Sequence, residues 1–173
     1  DGTDADRAFA LVRDHAVSGY FGGGAGISSW ITELGDEVLS ARTDQILDFI
    51  VALILAGSID EAGRWLAHLD VLAPADPNPR FAARHALAKS AWLANIGESE
   101  AAVAHAEGGI HRSTPGEDSF VDGVAPAVLI RCYDYLDRPA DARAVFRDAI
   151  DRWAPTPVMQ QVLLEGAMGA VEL

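Results

Sequence analysis

The chain holds a single cysteine, Cys132, set inside an apolar run. One cysteine closes no internal disulfide, and a reducing, cytoplasmic setting is expected. No histidine or acid stands beside it in a recognisable pattern, so Cys132 reads as a small buried hydrophobe and not a nucleophile. Lysine is as scarce: Lys89 is alone and the other bases are arginines. Acids outnumber bases 26 to 13, a formal net charge of −13. A surface of that sign repels phosphate, so direct nucleic-acid binding by this stretch is not expected. The acids read as solvated helix faces that keep the chain soluble. Long apolar runs are missing too. The most apolar, Ile46 to Ala56, is interrupted by Asp48 and is too short to cross a bilayer. No charged-then-apolar leader opens the sequence, which begins at Asp1 and is read as a fragment of a longer protein.

The motifs of catalysis are equally sparse. The five histidines, His15, His68, His85, His105 and His111, form no HExxH pair and no cysteine–histidine cluster, so no metal site is expected. There is no Gly-x-Ser-x-Gly elbow. Gly22-Gly23-Gly24 lacks both a preceding strand and a Gly-Lys-Ser/Thr ending, and reads as a turn and not a phosphate loop. The acid pairs Asp36-Glu37 and Asp60-Glu61 fall near helix starts, where they complement the helix dipole. No constellation supports an enzyme, and no cofactor is implied.

What the sequence has is helical periodicity. Half the residues are hydrophobic, enough for a core that buries about 70% of the unfolded chain's surface. Apolar residues recur at three- and four-residue steps with no sustained alternation, which predicts about nine helices. Three segments repeat at a forty-residue spacing: Gly57 to Ala62, Gly97 to Ala102 and Asp137 to Ala142. A period of that size marks stacked supersecondary units. The expected units are 4–41, 43–74, 79–115 and 119–155, followed by a last helix over 157–173. Gly123 and Pro126 lie inside the leading helix of the third repeat, so that helix is expected to start near Pro126 or to kink there.

The second helix of each repeat carries small and large residues in register: Ala62, Leu66, Leu69; Ala102, Ala106, Gly109; Ala142, Phe146, Ala149. A proline follows each set, at Pro74, Pro115 and Pro155. This resembles the second half of the tetratricopeptide repeat. The leading helices lack that repeat's tryptophan, leucine-glycine and tyrosine, and forty residues exceed its usual thirty-four. The resemblance implies an all-α fold: a right-handed superhelix, or solenoid, of antiparallel helix hairpins.

A second resemblance covers Trp30 to Arg42 and then Leu55-Ala-Gly-Ser-Ile-Asp-Glu-Ala62. Both stretches look like the lead-in and first repeat of the MalT-like, LuxR-type bacterial transcriptional regulators, with Leu34-Gly35 where the family has leucine-proline. The resemblance implies a central helical sensor between a nucleotide-binding switch and a helix-turn-helix, neither of which lies in this stretch. Its expected partners are a protein or small-molecule effector on a concave face and the other domains of the same polypeptide. Uncapped end helices would also allow two copies to pair. The alternative is a stand-alone interaction scaffold that binds a peptide or helix.

On tetratricopeptide stacking, the leading helices line the concave face. Equivalent positions there are Asp44, Arg84 and Val124; Val51, Ala91 and Arg131; and Ile54, Ala94 and Asp134. Asp44, Arg84, Arg131 and Asp134 are therefore candidate groove contacts, with inter-repeat ion pairing as the ordinary reading of such charges. Trp92 is the candidate stacking residue, although Trp30, Trp65, Trp92 and Trp153 all fit ordinary packing between helices. Apolar Leu47 and Leu87 stand where a clamp for peptide C-termini needs a cation, so no such clamp is expected.

Overall fold

A computed structural model describes residues 6–7, 10, 43–72, 78–113, 119–152 and 158–171. The described residues form seven helices and no strand, with isolated helical positions at 6, 7 and 10. The helices are α1 (Thr43–Leu55), α2 (Ile59–Leu72), α3 (Pro79–Asn95), α4 (Ser99–Arg112), α5 (Ser119–Tyr135), α6 (Pro139–Arg152) and α7 (Val158–Val171). Contacts divide the chain into two units, Asp1–Ala75 and Asp76–Leu173. The rest of the expected unit 4–41 falls outside the described residues, as do the Trp30–Arg42 segment, Pro74, Pro115, Pro155, His15 and Trp153.

In the first unit α1 packs on α2. Ile46, Leu47, Ile50 and Leu53 of α1 and Leu66 and Leu69 of α2 are fully buried. Asp60 and Glu61 occupy the first turn of α2, where their charge complements the helix dipole.

The forty-residue repeat appears in atomic detail as one turn used three times. Each hairpin connection is three residues long, and each closes with the same pair of backbone bonds. Gly57 N donates to Ile54 O (3.1 Å) and Ser58 N to Leu53 O (2.9 Å). The second copy joins Gly97 N to Ala94 O (3.4 Å) and Glu98 N to Leu93 O (2.9 Å). The third joins Asp137 N to Asp134 O (3.0 Å) and Arg138 N to Tyr133 O (2.8 Å). This is the Schellman arrangement, which satisfies the last carbonyls of a helix and needs a left-handed residue at its centre. Gly57 and Gly97 supply it at φ 79° and 86°; Asp137 does so at 54°. Ala62, Ala102 and Ala142 follow at the same distance from each turn, all with no exposed surface.

The second unit contains α3 to α7. Asn78 caps α3, its Oδ1 accepting from Arg80 N (3.0 Å) and Phe81 N (3.5 Å), with Pro79 next to it at the first helical position. Along α3 and α4 the contacts run in opposite order: Leu87 and the Ala83 carbonyl oppose Gly109, whereas Ser90 opposes Ala102. The pair is therefore antiparallel. The Ser90 hydroxyl donates to the Ala102 carbonyl at 2.7 Å in the buried seam. α5 is the hub, in contact with α3, α4, α6 and α7. Leu129, Ile130 and Cys132 of α5 meet Leu164, Ala167 and Met168 of α7 in one core, which also takes in Ala102, Ala106, Ala142 and Ala149.

α5 begins at Ser119 and runs through both Gly123 and Pro126, so a start near Pro126 is overturned. An interior proline costs about 3 kcal/mol in helix propensity. Pro126 is itself buried, as are Val124, Ala125, Leu129 and Ile130 of the same helix, so burial outweighs the local penalty.

Candidate interaction site at the hairpin turns

A cleft lies in the second unit where the α3–α4 turn meets the C-terminal end of α5. Its volume is about 620 Å³, within the range of ligand sites. Asn95, Glu98, Ser99 and Glu100 line one side, with Tyr135 and Leu136 on the other. Asn95 and Tyr135 are forty residues apart, so the cleft is the space between equivalent positions of successive repeats.

The lining is rich in acceptors. Glu98 and Glu100 are exposed and form no ion pair among the described residues. The Asn95 amide nitrogen is committed to Ala91 O at 2.8 Å, leaving its oxygen as the free group. Ser99 is only 8% exposed. Tyr135 is 68% exposed and Ile96, on the same turn as Gly97, 45%. α3 and α5 both end here, and neither has a basic residue in its last turn. Two negative helix ends thus meet two carboxylates with no cation in the lining.

Next to the cleft lies a polar network that ties three elements together. The Tyr133 hydroxyl donates to Glu107 Oε1 at 2.6 Å. Arg138 lies over the Tyr133 ring at 4.6 Å and donates to Asp141 Oδ2 at 2.8 Å. α4, α5 and the start of α6 are thereby joined by one tyrosine. Burial, then the hydrogen bond to Glu107 and its charge, push the Tyr133 phenol up to about 12. Burial likewise pushes the Cys132 thiol up to about 11, against the opposing charge of Arg131.

Both groups carry folded pKa values above their ordinary ones, 9.0 for Cys132 and 10.0 for Tyr133. The stability they contribute is complete below the ordinary values and is lost as pH rises through the folded ones. The denaturation midpoint is therefore expected to fall from about pH 9 upward and to keep falling towards 12. Cys132→Ala should remove the part of that decline between about 9 and 11, and Tyr133→Phe the part between about 10 and 12. Denaturant titrations at stepped pH measure this; a midpoint flat from pH 9 to 11 in the unaltered chain contradicts it.

The sequence-derived groove residues lie elsewhere. Arg131 is exposed, Arg84, Trp92 and Asp134 are half-buried, and none of the four lines the cleft. Asp44 sits in the first turn of α1, and its side chain lies outside the described residues. Their repeat equivalents Val51, Ala91, Ile54, Ala94 and Val124 are buried. His85 is buried and stacks on Phe81 at 6.0 Å, while exposed His68 meets Trp65 edge-on at 5.9 Å. Among the described residues no group of histidines, cysteines and acids is placed to hold a metal, and no helix is long and apolar enough to cross a membrane. Sequence reasoning missed the cleft, although one signal was present: an aromatic, Tyr135, at the repeat position where the preceding unit has Asn95.

No protein-family model matches this chain, nor does any curated protein or solved structure.

Proposed function

We propose that this chain is a sensor domain that binds a ligand or protein, built as a tetratricopeptide-like stack within a LuxR-type bacterial transcriptional regulator. The observation that carries the binding role is the turn repeated at Gly57, Gly97 and Asp137, each followed by a fully buried alanine. Repeats of this kind create extended surfaces and give each unit a separate contact. The contacts of α5 with α3 before it and α7 after it support the solenoid arrangement. The regulator role rests on the resemblance of Trp30–Arg42 and Leu55–Ala62 to the MalT-like proteins. An effector would dock through Arg84, Trp92, Arg131 and Asp134 of the second unit. Its differential affinity for two arrangements of the neighbouring domains would set their balance.

The stand-alone scaffold is the second reading, favoured by the acceptor-rich cleft between repeats, which suits a protein partner. Sequencing the reading frame on either side decides between them. A Walker A motif upstream and a helix-turn-helix downstream are expected of the regulator. Further repeats or stop codons on both sides overturn it and leave the scaffold.

A further inference from the structure

We draw no further inference here: the strongest candidate, the exposed face of α7 formed by Val162, Gly166, Gly169 and Ala170, is a surface patch of small residues, and nothing in the structure shows what covers it.

Discussion

Gly109→Ala is expected to destabilise the chain by about 2 kcal/mol, lowering the melting temperature by roughly 4–8 °C. On helix propensity alone the substitution should stabilise by about 1 kcal/mol. Contact reverses the sign. A Cβ on Gly109 would stand 2.6 Å from Leu87 Cγ, 2.9 Å from its Cδ2 and 3.0 Å from the Ala83 carbonyl oxygen. Leu87 is 2% exposed and has nowhere to turn, and the Ala83 oxygen belongs to the backbone of α3. The added methyl therefore forces α3 and α4 apart along the seam that Ser90 and Ala102 also close. Two other glycines separate contact from conformation. A Cβ on Gly166 in α7 meets nothing within 4 Å, so Gly166→Ala should stabilise by about 0.5–1 kcal/mol. Gly97 is equally open, but at φ 86° its alanine variant should lose about 1 kcal/mol to backbone strain alone. Thermal melts of the three variants check the pattern. If Gly109→Ala matched Gly166→Ala, the close approach of α3 and α4 would be refuted.

Ile130→Ala should cost more, about 3–4 kcal/mol, because it combines lost burial with an unfilled cavity. Ile130 has no exposed surface and lies on α5, the helix that touches α3, α4, α6 and α7. The neighbours that would have to collapse into the gap are themselves fixed, since Cys132 and Leu164 are also fully buried and belong to the same core. A loss of this size is a large part of a domain's total stability of about 5–15 kcal/mol. Urea titration followed by helical circular dichroism measures it, and a cost below about 1 kcal/mol would mean that the core around α5 is loosely packed.

How much of this was legible in the sequence depends on whether local chemistry or assembly decided the outcome. The three turns were legible because a left-handed residue is a local demand, and glycine at 57 and 97 meets it visibly. Asp137 could be placed only by its period, since aspartate seldom takes that conformation. Ala62, Ala102 and Ala142 were legible for a related reason: a small residue repeated at one helical position marks where helices approach. The course of α5 was not, because a local proline penalty competes there with burial that only the assembled core supplies. The cleft was hidden in another way. Its two walls lie forty residues apart and no motif joins them; only stacking one repeat on the next sets Asn95 opposite Tyr135.

The short hairpin connections also bear on how the fold is reached. A three-residue link between α3 and α4 leaves almost no loop to close before Ser90 can meet Ala102, a partner 12 positions away. The wider Tyr133–Glu107 bond spans 26 positions and joins one hairpin to the next. Sequence-near pairings of this sort favour rapid assembly, with the α3–α4 hairpin forming a surface against which α5 can order. A chain made this way acquires structure progressively along its length, as it would emerge during synthesis.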